Sequence, residues 1–127
     1  MKRILIIESD PAVRELLGIS LLRERYQVTL ADDPLLGFET ALFSKPDLIV
    51  TDVRLSASDS FDIIQQIRDT RALRHVPILI TTEFGTGTAT FSLQHGANGY
   101  EPKPIDPNGF VTTVKRLLTE SDGLQAA

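Results

Sequence analysis

Glu8, Ser9, Asp52, Thr82 and Lys103 each stand at or just beyond the end of a short apolar run. Ile4 to Ile7 stops at Glu8 and Ser9, Leu48 to Val50 leads into Asp52, Ile78 to Ile80 leads into Thr82, and Tyr100 comes shortly before Lys103. If these runs are parallel strands, their carboxyl ends share one edge of a sheet, and open α/β sheets hold their ligands in the crevice beyond that edge. A nucleophilic carboxylate, metal-binding acids, a hydroxyl and an ammonium would then meet in one cleft. That set suits a phosphoryl group, whose transfer depends on positioning and on neutralising oxygen charge.

The elements that must position these residues alternate along the chain. Ile4 to Ile7 reads as a central strand covered on both faces, and Val28 to Leu30 and Leu48 to Val50 read the same way more briefly. Val13, Leu16, Leu17, Ser20 and Leu21 form one buried helical stripe behind Asp10 as N-cap and Pro11 at the first helical position. Asp33-Pro34 and Asp106-Pro107 repeat that start signal before helices over Leu35 to Phe43 and Phe110 to Leu118, while Phe61, Ile64 and Ile67 give the third helix its core face. A fourth helix near Gly85 to Thr90 is expected to be short and mobile, because glycines and β-branched residues form helix poorly. Residues 1–120 are expected to form one domain, with 121–127 a flexible tail or the start of a linker. Strands alternating with helices imply right-handed crossovers and a mostly parallel sheet with helices on both faces.

Composition narrows the classes. At 127 residues, 42% of them apolar and 24% charged, the chain has the makeup of one globular domain with a real core. Without cysteine there is no disulfide and no thiolate site. A net charge of −4 argues against direct nucleic-acid binding, which needs clustered Lys and Arg. No apolar run is long enough for a signal peptide core or a membrane span, so the cytoplasm is the expected location and no membrane partner is expected.

Four stretches, Lys2–Leu16, Pro46–Leu55, Val76–Thr82 and Gly96–Pro104, occur in order and at a spacing that resembles the receiver domain of two-component response regulators, over essentially all of residues 2–119. The resemblance implies a flavodoxin-like, doubly wound α/β fold with a five-stranded parallel sheet in the order 2-1-3-4-5. It implies that Asp52 is the phospho-acceptor, that Thr82 and Lys103 bind the phosphoryl group, and that Tyr100 is the switch aromatic. Mg²⁺ would be held by Glu8, Asp52 and the backbone carbonyl of Arg54, with Ser9 as a weak ligand. Arg54 and Phe84 would flank the path of the water that hydrolyses the acyl phosphate, and so lengthen its life. Lys103-Pro104 matches the family's cis peptide, and Pro102 fits an edge strand.

The implied function is phosphorelay signalling: a sensor histidine kinase phosphorylates Asp52, and the face of the fourth helix, fifth strand and fifth helix passes the change to a downstream effector domain or protein, or to a second copy in a homodimer. Such a chain is a phospho-acceptor that promotes its own phosphorylation and dephosphorylation, not an enzyme acting on other substrates. The pattern departs from the family at Ser9, where most receivers carry a second acid, and at Ser56 and Ser60, where a proline and a glycine are usual. A hydroxyl is a weaker ligand than a carboxylate for a hard cation. The alternative is therefore a degenerate receiver that binds partners without being phosphorylated. Taken singly, Asp52 could be a turn cap, Thr82 a strand residue, Lys103 a surface charge and Tyr100 a half-buried strand tyrosine. Asp10 is explained as a cap, and His75 and His95 receive no function.

Overall fold

Alternate side chains of a strand face opposite sides of the sheet, so an unbroken apolar run needs cover on both faces. Strand β1 (Arg3–Ile7) has that cover. Ile4 and Ile6 pack with Leu17 and Leu21 of α1 (Pro11–Leu22) and with Phe110 and Val114 of the C-terminal helix (Pro107–Ala126). Leu5 and Ile7 pack on the other side with Ala41 of α2 (Pro34–Ser44) and with Ile63, Ile64 and Ile67 of α3 (Ser58–Asp69). The computed structural model of the chain describes residues 1–53, 58–83, 90 and 92–126, and within them the side chains of all but 58–61, 125 and 126.

Strands β2 (Gln27–Ala31), β3 (Leu48–Asp52), β4 (Ile78–Thr82) and β5 (Gly99–Pro102) complete a five-stranded parallel sheet in the order β2-β1-β3-β4-β5. This is the doubly wound architecture expected from the sequence. The order reverses between β1 and β3, which places Glu8 and Asp52 at the switch point. Asp10 caps α1 as expected, its Oδ1 accepting from the amides of Ala12 at 2.9 Å and Val13 at 3.4 Å, and Asp33 Oδ1 accepts from Leu36 at 2.8 Å at the start of α2.

Five expectations need correction or fall outside the described residues. Val28 to Leu30 is not covered on both faces: β2 is an edge strand, with Thr29 and Leu30 exposed and Ala31 buried, because the sheet ends there. Leu16 lies on the rim of α1 and is exposed. The buried stripe centres on Leu17 and Leu21, takes in Gly18, and holds Ser20 by its hydroxyl donating to the Leu16 carbonyl at 2.7 Å. The C-terminal helix runs on past Leu118 to Ala126, through the segment expected to be a tail. Its last turns hold no proline, so nothing stops the helix despite Gly123 and the lack of an apolar face to bury, and Lys2 Nζ pairs with Asp122 at 2.7 Å. The fourth helix near Gly85 and the Phe61 side chain lie outside the described residues, although Thr90 and residues 92–94 are helical.

The positions of the catalytic-type residues depend on how closely α2 lies on β1. A Cβ on Gly37 would stand 2.5 Å from Ile7 Cδ1 and 2.6 Å from its Cγ1, and Ile7 is buried and cannot swing aside. Gly37→Ala should therefore destabilise the fold by about 1 kcal/mol net, an overlap cost of about 1–3 kcal/mol set against a gain of roughly 1 kcal/mol in helix propensity. Urea unfolding midpoints check this; a variant as stable as the parent would show that α2 can lift off β1 freely.

Candidate functional site

Glu8 follows the last residue of β1 and is 1% exposed, an unusual position for a carboxylate without a counter-charge. The counter-charge is Lys103. Its Nζ lies 2.8 Å from Glu8 Oε1 and 3.0 Å from Asp52 Oδ1 at the end of β3, with the three side chains almost entirely shielded from solvent. The contact with Asp52 is a hydrogen bond. The contact with Glu8 is a close ion pair without good hydrogen-bond alignment, so the ammonium is the counter-charge of Oε1. Glu8 Oε2 accepts from the Asp10 amide at 3.1 Å, which ties the acid to the cap of α1.

Burial pushes the Glu8 carboxyl above its ordinary pKa, and the Asp52 charge adds to that, while Lys103 and the Asp10 amide pull it back. Burial alone would lower the Lys103 ammonium. The two carboxylates outweigh it and hold the pKa above the ordinary lysine value, so the site keeps its positive charge.

The remaining residues sit around this core. Thr82, buried at the end of β4, accepts at its carbonyl from the Lys103 amide at 2.8 Å. That bond joins β4 to the segment that carries the ammonium. The Lys103-Pro104 peptide is cis, as the resemblance implied, and β5 is the sheet edge that the sequence needed for Pro102. Ser9 is exposed at the mouth of the site, and Tyr100 is 40% exposed on β5. Arg54, Ser56 and Phe84 lie outside the described residues, as does the side chain of Ser60. The sequence analysis overlooked Arg14: its guanidinium donates to the Glu8 carbonyl at 2.9 Å and to the Ser9 carbonyl at 3.5 Å, fixing the loop that presents the acid. The available signal was a cation one helical turn inside α1, directly behind the acidic turn.

The donor set fits a hard divalent cation, because Glu8 Oε1 and the Asp52 carboxylate are anionic oxygens that converge on the same ammonium. Among the described residues no group of three or more acids or histidines forms a metal cluster. Two carboxylates are present where the usual receiver pattern supplies three.

A parallel sheet wound 2-1-3-4-5, with two acids and a lysine meeting at the switch point, defines a flavodoxin-like fold with a charged cluster at the carboxyl edge of its sheet. The response regulator receiver domain matches residues 4–115, and the chain belongs to that family, a module of two-component signalling. It is 34% identical, over its full length, to the DNA-binding dual master transcriptional regulator RpaA of a Synechocystis strain, of which it covers 53%. It is 30% identical over 95% of its length to the alkaline phosphatase synthesis transcriptional regulatory protein PhoP of Bacillus subtilis, of which it covers 50%. The chain thus spans about half the length of these curated relatives. Among solved structures, a putative response regulator from Chloroflexus aurantiacus superposes with a TM-score of 0.86 at 27% identity, covering 93% of this chain and 98% of that one. No helix among the described residues is long and apolar enough to cross a membrane.

Removing Lys103 leaves two acids without a counter-charge. Lys103→Met should cost about 3 kcal/mol at neutral pH, the usual penalty for breaking a buried pair from one side. In the variant the Glu8 pKa rises further, so the folded state binds a proton more tightly than the unfolded chain, and stability falls as pH rises from the ordinary 4.5 through that raised value. The cost of the substitution should therefore shrink on acidification, as urea titrations between about pH 5 and pH 8 would show. A cost independent of pH would mean that Glu8 does not depend on Lys103.

Proposed function

We propose that Asp52 accepts a phosphoryl group from a sensor histidine kinase or a small acyl phosphate. An Asp52 carboxylate oxygen attacks the phosphorus, the bond to the donor imidazole or acyl oxygen breaks, and the donor leaves with that electron pair. The observation that carries this reading is Asp52 Oδ1 within 3.0 Å of Lys103 Nζ at the switch point, a nucleophile beside a fixed positive charge. Lys103 follows the transferred oxygens, and the Thr82 hydroxyl donates to one of them. Glu8, Asp52 and the Arg54 carbonyl would hold Mg²⁺, with Ser9 contributing weakly; the ion supplies charge neutralisation. Phosphorylation would draw Thr82 toward Asp52 and let Tyr100 turn inward, altering the surface around β5 and the C-terminal helix. An effector domain or partner protein reads that surface.

One observation favours a second reading. Ser9 offers a neutral hydroxyl where an acid is usual, and a phosphorylation-independent binding module would tolerate that loss. Intact-mass measurement after incubation with acetyl phosphate and Mg²⁺ separates the two. The first reading gives one phosphoryl adduct, lost in Asp52→Ala; no adduct on the parent chain supports the second.

Ser9 also sets how tightly the ion binds. Restoring a carboxylate with Ser9→Asp should tighten Mg²⁺ binding on the order of tenfold in a calorimetric titration. Equal affinity of the two proteins would show that Glu8 or Asp10 already fills the gap.

A further inference from the structure

Arg68, in the last turn of α3, is half-buried, and among the described residues it takes part in no ion pair. Its guanidinium donates from Nε to the Gly96 carbonyl at 2.9 Å, from Nη1 to the Arg74 and Val76 carbonyls at 3.0 and 2.8 Å, and from Nη2 to Asn98 Oδ1 at 2.8 Å. All four acceptors are neutral oxygens, so the hydrogen bonds are met and the charge is not. Burial pushes the guanidinium below its ordinary pKa, and no acid pulls it back. The acids on the adjoining elements are engaged elsewhere: Asp69 Oδ1 accepts from Gln65 at 2.9 Å, and Asp122 pairs with Lys2.

The guanidinium borders a cavity of about 450 Å³ at the amino edge of the sheet, a volume within the range of small-molecule sites. Arg74, His75, Asn98 and Ser121 share its wall, and among the described residues no carboxylate does. Arg74 and His75 are exposed and, among the described residues, stand in no ion pair. Asn98 decides the chemistry. Its Oδ1 accepts from the Ile78 amide at 2.9 Å as well as from Arg68, so both bonds that hold this side chain fall on its oxygen and Nδ2 is left to donate. A carboxylate in that place would accept the same two bonds and neutralise Arg68; asparagine supplies the shape without the charge. We infer that this cavity binds the phosphate group of a small molecule, which serves as the counter-charge of Arg68 and Arg74 and accepts hydrogen bonds from Asn98 Nδ2 and His75. A phosphate dianion matches two guanidiniums in charge and in the geometry of their donors. Leu124, exposed on the same wall, gives an apolar side on which the carbon body of an ester can lie. The cavity is separate from the cluster around Lys103, which lies at the other end of β4, five residues or about 17 Å away.

The test uses the whole chain. Inorganic phosphate, titrated at fixed pH and ionic strength, should shift the Arg68 Nε–H and Asn98 side-chain amide signals in nitrogen-15 NMR spectra, saturably and with a Kd on the order of 1 mM. Asn98→Asp keeps an acceptor for both donors and supplies the missing charge, so it should fold as the parent does and weaken binding about tenfold or more, read at Arg68. Arg74→Ala should weaken it to a similar degree. Arg71→Ala, which removes the same charge from an exposed residue outside the cavity, should leave binding unchanged. Glycerol 3-phosphate, titrated in the same way, distinguishes the source of the phosphate: tighter binding than inorganic phosphate assigns the site to an ester, and equal or weaker binding assigns it to the free anion. Three results would overturn the inference: no saturable shift at Arg68 and Asn98, shifts confined to Lys103 and Thr82 at the other edge, or undiminished binding by Asn98→Asp.

Discussion

An ammonium held between two buried carboxylates is the constraint on which the rest of this structure depends. Glu8 follows a strand covered on both faces, where a lone charge would cost several kcal/mol, and Lys103 comes from near the other end of the chain to meet it. The meeting requires β1, β3 and the segment after β5 to end at one level. It therefore requires the parallel register, the helices that return the chain between strands, and the bond from the Lys103 amide to the Thr82 carbonyl. Packing and chemistry share one geometry here, so a change that loosens α2 from β1 also displaces the acid.

Much of this was legible because apolar runs and their stopping points obey simple rules. Ile4 to Ile7 read as a strand covered on both faces and Asp10-Pro11 as a helix start, and both are found. The failures have physical reasons as well. Val28-Thr29-Leu30 has the local composition of a buried strand, and its place at the edge follows from strand order, which local composition does not carry. The C-terminal helix continues past its last core residue, Leu118, where no proline stops it and Lys2 pairs with Asp122, features invisible to a search for apolar periodicity. Arg14 went unnoticed since its task is to hold two carbonyls, and a cation in the first turn of a helix behind an acidic loop reads equally as a solvated surface charge.

The site shows the same division. Glu8, Asp52, Thr82 and Lys103 were visible as the ends of strands, and resemblance to receivers gave each a role. Their mutual distances were not visible, nor was the inequality of the two acids. Glu8 is fully enclosed, has one oxygen fixed by an amide and is pushed up in pKa by burial; Asp52 remains slightly open to solvent. On the proposed reading, the enclosed acid with a fixed oxygen would suit a ligand and counter-charge, and the more open acid a nucleophile that a donor can approach.

Charge balance then explains why Ser9 bears so directly on function. In the unmodified site two carboxylates face one ammonium, and with a neutral residue at position 9 the cluster carries one net negative charge. A third carboxylate would make it two, and would make the resting site a stronger magnet for a divalent cation. A phosphoryl group on Asp52 would replace one carboxylate charge by about 1.5 to 2 units on three oxygens, leaving Lys103 outweighed. The serine thus removes one charge in either state, about half of the resting total but only roughly a third of the total after modification. By linkage, whatever Mg²⁺ the site holds would favour the phosphorylated form over the free one, since a cation stabilises most the state with the largest unmet negative charge.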